Sequence, residues 1–286
     1  MLTTRSADGI TLAGDRRDPT GASRGTVFLL HGSGQTRHSW QRTAQALAAA
    51  GWSACSFDAR GHGDSDWAPP HGSYSLGSLV DDLLAHVATH GPVDALVGAS
   101  LGGSTALAAL GENPGLARAC VVVDMTTQVD REGASGIWTF MTSAVKGFAS
   151  LEEASDRIAA YNPHRARPRA LDGLRKNLRE RDGRWFWHWD PAFMTGPRSI
   201  VEGFGTDEAD TRIAVAAALI EVPVLLTHGA HSNVVSPGGI AHMRSVIPHL
   251  EIDDPVDGGH MIVGDDNHRF ATGLLAFLDR TVPVSM

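Results

Sequence analysis

The pentapeptide Gly98-Ala99-Ser100-Leu101-Gly102 has the form G-x-S-x-G, with a short apolar run, DALVGA (94–99), leading into it and an alanine-rich stretch, LGGSTALAALGEN, leaving it. A serine at such a strand-to-helix turn is lifted above the sheet edge, and glycines flank it because bulkier side chains would collide there. A neutral serine is a poor nucleophile at pH 7 and needs a base within hydrogen-bond reach. Of 14 histidines, His260 is the candidate, because it follows the apolar run HLEIDDPV (249–256) in a Gly-Gly-His loop. The C-terminal edge of a sheet would point it toward Ser100. Attack on a carbonyl would leave negative charge on its oxygen, which preorganised N–H groups must meet. The amide of Leu101, at a helix start whose dipole favours an anion, is one candidate donor. The loop His31-Gly32-Ser33-Gly34, after TVFLL (26–30), is expected to supply the second, with His31 and the 58–63 loop bracing that edge.

These residues need a scaffold, and the chain punctuates one. The first 16 residues read as a hairpin turning at Asp8-Gly9. Apolar runs at 26–30, 52–57, 94–99 and 116–124 then alternate with helical stretches at about 40–50 and 76–90. Such strand-then-helix units imply a parallel sheet with helices on its faces. The rhythm breaks after Asp124 and resumes at VPVLLTH (222–228), followed by a helix at about 237–247, the run 249–256 and a last helix at about 267–280. The expected division is a catalytic core of residues 1–124 and 222–286 with a helical lid at 125–221.

Taken in order, FLLHGSGQTRHSW, SFDARGHGDSD, GASLGG, PVLLTHGAHSNVVSP and DGGHMIVGDDNHRF resemble the α/β-hydrolase fold superfamily, over nearly the whole chain apart from the insertion. The resemblance implies a lid-bearing serine hydrolase of esterase, lactonase or carbon–carbon hydrolase type. It implies an α/β architecture: a mostly parallel eight-stranded sheet with helices on both faces. It also implies that Ser33, the residue after His-Gly, carries the second oxyanion N–H, with Gly32 its neighbour in the same loop. The chain departs from the family's commonest pattern at the acid. In the loop 229–237, where the acid usually sits, Asn233 stands in its place, and an amide cannot stabilise an imidazolium as a carboxylate does. Asp124, ending the strand CVVVD, is the alternative, since haloalkane dehalogenases and a fungal zearalenone lactonase of this fold carry their acid at the end of that strand. Asp124 is therefore expected to complete a Ser-His-Asp triad. The rival readings are a loop-capping aspartate and a chain that has lost its acid at Asn233. Asp257, Asp265 and Asp266 read as turn and helix-start residues.

Within the insertion, LEEASDRIAAY and ALDGLRKNLRERDG both carry apolar residues at helical spacing, the second at Leu171, Leu174 and Leu178. Four of the seven tryptophans lie there. Some must pack the insertion itself, but a Trp-Phe-Trp-His-Trp run cannot hide every ring on one face. Trp138, Met141, Trp185 and Trp187 are the candidates for an apolar, aromatic-tolerant pocket. Eight basic and three acidic residues between Arg165 and Arg184 read as a solvated face.

Composition bounds the rest. The 286 residues are 42% hydrophobic and 20% charged, with a net charge of −8, which is ordinary for a globular protein and argues against a nucleic-acid or anionic-membrane surface. No apolar run approaches the roughly 18 residues that span a bilayer, and a cytoplasmic protein is expected. Cys55 and Cys120 sit in apolar runs and read as small core hydrophobes, with no disulfide or metal site. No metal or organic cofactor is expected. The expected partner is a small-molecule substrate, with neither nucleic acid nor membrane, and a homodimer is left open. The leading reading is hydrolysis of an ester or lactone of a fairly apolar, aromatic-tolerant substrate through an acyl-enzyme. The alternatives are a carbon–carbon bond hydrolase of a β-diketone-like substrate, a cofactor-free dioxygenase and a non-catalytic binder of the same fold.

Overall fold

A computed structural model of the chain describes residues 1–144, 146–161, 171–200, 207–256, 259–260 and 268–283. Strand β1 (Leu2–Arg5) returns through the Asp8-Gly9 turn as the antiparallel β2 (Thr11–Arg17). Alternation follows through β3 (Thr26–Leu30), α1 (Gln41–Ala49), β4 (Ser53–Phe57), α2 (Leu76–His90), β5 (Ala95–Ala99), α3 (Leu101–Glu112) and β6 (Ala119–Val123). The insertion holds α4 (Arg131–Thr142), α5 (Leu151–Tyr161) and the hairpin β7 (Leu178–Arg181) and β8 (Arg184–Trp187). Then come α6 (Asp207–Ala217), β9 (Val224–Thr227), α7 (Pro237–Val246), β10 (Glu251–Ile252) and α8 (His268–Thr281). The side chains of Ser75, Asp130 and Ser236 cap α2, α4 and α7 by accepting the N–H of Ser78, Gly133 and Gly239.

The sheet has eight strands in the order β1-β2-β4-β3-β5-β6-β9-β10. From β4 to β10 every pairing is parallel, which is the architecture expected. Side-chain alternation sends Phe28, Cys120, Val122 and Leu226 into one core with α2, α3 and α7. It sends Val27, Leu29, Val121, Val123 and Leu225 into another with α1 and α8. Both faces are therefore apolar, as a sheet covered by helices requires. Cys55 and Cys120 are free and buried, and burial pushes their thiols up to about 11 and about 12. No described helix is long and apolar enough to cross a membrane. Strand order reverses between β3 and β5, with β4 to one side and β6 to the other, and a crevice at the strands' carboxyl ends is expected at such a switch point.

Three expectations are corrected. The segment 171–184 is not a continuous helix. A short 3₁₀ turn (Leu171–Lys176) gives way to β7 and β8. The chain reverses at Asp182-Gly183, both at positive φ (50° and 72°), and a D-G pair flanked by strands is the signal that outweighs the leucine spacing. Leu178 is nevertheless buried. The insertion is accordingly not purely helical. Nor does all of 125–221 lie apart from the sheet, because Ile213 and Ala217 of α6, with Ile220 after it, join the core formed with α2, α3 and α7. Asp257, Asp265, Asp266, Arg165, Arg167 and Arg169 lie outside the described residues.

The insertion is seated on the strand ends by polar bonds and one apolar cluster. The Tyr74 hydroxyl donates to Asp190 (2.6 Å), the Asp190 N–H donates to the Gly61 carbonyl (2.9 Å) and Arg198 donates to the Pro69 carbonyl (2.6 Å). Phe148, Leu151, Trp187, Trp189 and Phe193 pack together with Tyr74, Leu79 and Leu101 of the sheet layer. The insertion thus shares its core with the edge it covers.

Candidate active site

Ser100 follows β5 at φ 47° and ψ −111°, a conformation few non-glycine residues adopt. Close packing enforces it: a Cβ on Gly98 would lie 2.3 Å from Gly102 backbone, and one on Gly102 would lie 2.3 Å from the Leu30 carbonyl oxygen. Both glycines of G-x-S-x-G are thus steric requirements of the turn. On the adjacent strand β6, Val123 pairs with Ala99, so Asp124 sits one residue past the strand end beside Ser100, also at positive φ (52°).

Asp124 is 1% exposed. A buried carboxylate must find partners, and among the described residues it has three: Oδ1 accepts the Gly229 N–H (2.8 Å), while Oδ2 accepts the Ser232 hydroxyl (2.7 Å) and lies 2.7 Å from His260 Nδ1. A carboxylate only accepts, so Nδ1 carries the proton and Nε2 keeps its lone pair. The loop after β9 thereby donates hydrogen bonds to the acid at the end of β6. Asn233 is exposed in that loop, and its carbonyl oxygen lies where a Cβ on Gly133 of α4 would fall, at 1.9 Å. The structure thus places Asp124, rather than Asn233, beside His260.

On the oxyanion side, the Gly32 N–H is taken by Gln35 Oε1 (3.0 Å). The Ser33 N–H has no partner among the described residues, which separates two positions the sequence left as close neighbours. Leu101 N–H is the first of α3, a position without an intrahelical acceptor. His31 and the 58–63 loop brace this edge. His31 Nδ1 donates to the Gly32 carbonyl (2.8 Å), and Nε2 accepts the Ala59 N–H (3.0 Å). Asp58, fully buried, accepts the Arg37 N–H and guanidinium together with the Asp64 N–H. Burial holds the His31 imidazole below its ordinary value, so it stays neutral.

Ser33, Ser100, Leu101, Asp124 and His260 all line one cavity of about 330 Å³. Its remaining wall is mostly apolar, including Met125, Val129, Ile137, Trp138, Met194 and Ile200. Of the four candidate pocket residues, Trp138 is in this wall, with its indole N–H donating to the Met194 carbonyl (3.3 Å). The other three are corrected. Met141 is 3% exposed and packs beside Trp189 and Gly34. Trp187 stacks on Trp189 at 4.7 Å and meets the edge of Phe148 at 5.2 Å. Trp185 lies under the Arg175 guanidinium at 4.7 Å. Strand alternation aims Trp185 and Trp187 at one face, and that face is the insertion's own core. The largest share of the apolar side of the wall comes from one face of α4, with Ala134, Ile137 and Trp138, a helix the sequence pattern was not read to contain. Its signal was present: Asp130 as an N-cap, then Ala134, Ile137, Trp138 and Met141 at helical spacing. Ser232 was also missed, since a loop serine that holds a carboxylate has no sequence mark.

The family model of the alpha/beta hydrolase fold matches residues 25–266, and the chain belongs to that family. It is 29% identical over 259 residues to the esterase Rv0045c of Mycobacterium tuberculosis, covering 86% of this chain and 80% of that one. It is 26% identical over 291 residues to the sn-1-specific diacylglycerol lipase ABHD11 of Danio rerio, covering 96% and 84%. An alpha/beta hydrolase of Novosphingobium aromaticivorans superposes with a TM-score of 0.82 at 23% identity, covering 98% of this chain and 97% of that one.

Proposed function

We propose that the protein is a serine hydrolase that cleaves carboxylic esters of an apolar, aliphatic or aromatic substrate through an acyl-enzyme, with the insertion as its lid. Ser100 is the nucleophile, His260 the general base and then acid, Asp124 the orienting carboxylate, and the N–H groups of Ser33 and Leu101 receive the oxyanion. The observation that carries this reading is the 2.7 Å bond between His260 Nδ1 and Asp124 in a cavity that Ser100 also lines. With Nδ1–H engaged, Nε2 takes the Ser100 proton as Oγ attacks the carbonyl carbon, and the carbonyl electron pair moves to oxygen. Collapse of the tetrahedral intermediate expels the alcohol, which leaves with the proton from Nε2. Water then repeats the sequence on the acyl-enzyme, releasing acid and restoring Ser100. Asp124 balances the transient imidazolium charge.

The esterase and lipase named among the relatives support ester chemistry. A lactone, being a cyclic ester, enters by the same steps. A cavity of about 330 Å³ with a mostly apolar wall favours a compact acyl or aryl group. A fluorophosphonate probe with a p-nitrophenyl ester series of varied acyl length tests the reading. The wild-type protein should label and turn over, and Ser100→Ala should abolish labelling and lower kcat by about 10⁶-fold. A folded wild-type protein that neither labels nor hydrolyses any ester of the series would overturn it.

A further inference from the structure

We infer that His188, carried by the insertion, is a positioning residue for the oxyanion-side loop, so that seating the insertion completes the oxyanion site. This rests on the reading above that the Ser33 N–H receives the oxyanion. Gly32 and Gly34, the residues on either side of Ser33, are held by side chains at four points. Gly32 donates its N–H to Gln35 (3.0 Å), and its carbonyl accepts from His31 (2.8 Å). Gly34 donates its N–H to His62 Nε2 (3.1 Å), and its carbonyl lies 3.4 Å from His188 Nε2. Three of these clamps belong to the sheet layer, and the fourth reaches across from the residue after β8.

The geometry also sets the protonation of the fourth clamp. His188 Nδ1 accepts the Gly63 N–H at 2.7 Å, so the ring proton is on Nε2 and is aimed at the Gly34 carbonyl. His62 is fixed in the complementary sense: Nε2 accepts from Gly34, and Nδ1–H donates to the Arg60 carbonyl (3.1 Å). The two rings lie 5.7 Å apart, and His188 is 4% exposed. Burial keeps both rings neutral at ordinary pH, His188 at about 3 and His62 well below its usual value. Trp189 and Met141 close over the Gly34 α-carbon, within 3.0 Å and 3.1 Å of where a Cβ would stand. Trp189 therefore serves the site indirectly, by holding the loop. An oxyanion donor displaced by about 1 Å loses on the order of 10²-fold in rate, which is why a clamp one residue away matters.

The test uses two near-isosteric variants that separate the ring's two bonds. His188→Asn keeps an acceptor for Gly63 at the Nδ1 position and drops the Gly34 contact. His188→Gln keeps a donor near Nε2 for Gly34 and drops Gly63. Steady-state ester hydrolysis is measured per folded molecule, with thermal unfolding alongside. His188→Ala should lower kcat about tenfold to a hundredfold with KM within about twofold, and His188→Gln should recover more kcat than His188→Asn. Unchanged kcat in all three variants, equal changes in kcat and KM, or better recovery by His188→Asn would overturn the inference. If the His188 variants do not fold, His62→Gln probes the clamp on the other end of the same residue, the Gly34 N–H, from the sheet side. A kcat-selective loss supports the clamp, and wild-type kcat overturns it. These outcomes are distinct from failure of the hydrolase reading, in which the wild-type protein itself neither labels nor turns over.

Discussion

At the ends of β5, β6 and β9 the polar side chains converge on one small volume. Ser100 and Asp124 stand one residue past their strands, and Gly229, Ser232 and His260 all point hydrogen bonds at the Asp124 carboxylate. The insertion is richer in large aromatics, yet Phe148, Trp187, Trp189 and Phe193 are spent on a core shared with the sheet edge, and among the described residues only α4 turns a tryptophan to the cavity. The difference is one of geometry. Parallel strands deliver whatever follows them to a common edge, so position along the chain nearly fixes position in space. An insertion has no such register and must first bury its own rings before any can meet a ligand.

Four measurements would break or sharpen this contrast. The largest effect is expected at the strand ends: Asp124→Asn should lower kcat by about 10⁴-fold, as loss of the orienting acid does in serine proteases. Near-wild-type kcat would remove Asp124 from the machinery. In the insertion, Trp187→Ala should cost about 3–5 kcal/mol in urea unfolding while kcat per folded molecule stays within about threefold. Trp138→Ala should do the reverse, raising KM for bulky esters with little loss of stability. If both tryptophans act alike, the division between packing and pocket residues fails.

The third measurement concerns the seam between the two regions, where neutral histidines meet. His31, His62 and His188 there, and His86 beneath Phe57, have folded-state values lowered below 6.5, chiefly by burial, with His86 and His188 at about 3. Below about pH 6.5 the unfolded chain binds protons that the folded chain refuses, so unfolding free energy falls with falling pH. The stabilisation is complete above about 6.5 and is lost progressively toward about 3, by up to about 1.4 kcal/mol per pH unit for each group. Asp82, raised to about 6 by burial despite Arg60, opposes this between about 6 and 3.8, because there the folded state takes up a proton the unfolded state does not. One carboxyl against four imidazoles leaves the net slope positive, and urea unfolding at pH 7.5, 6 and 5 checks it. Constant stability over that range would mean the rings are protonated when folded. The smallest effect is expected at Asn233→Asp, within about threefold in kcat, since Asp124 already holds His260. A large gain would return the acid to the loop after β9.

The sequence by itself determined the sheet, the elbow and the triad candidates. Short apolar runs bounded by turn residues and alternating with helical stretches read as strands covered on both faces, and G-x-S-x-G between a strand and a helix leaves few other turns. Through its resemblance to the α/β-hydrolases it also exposed the missing acid at Asn233, and pointed to Asp124 as a strand end where members of that fold carry their acid. It misread 171–184, where leucine spacing competed with the Asp182-Gly183 turn, and it dispersed the pocket over Met141, Trp185 and Trp187. Only the tertiary structure decided that α6 joins the sheet's core, that α4 walls the cavity and that Ser232 holds Asp124. It also supplied the physical reason to prefer Ser33, which the resemblance had named, over Gly32, by spending the Gly32 N–H on Gln35. The physical reason is range. Period and punctuation are local and act through the backbone. Which ring is buried and which N–H is left over depend on partners more than a hundred residues away, as Gly229 is from Asp124 and His188 from Gly63.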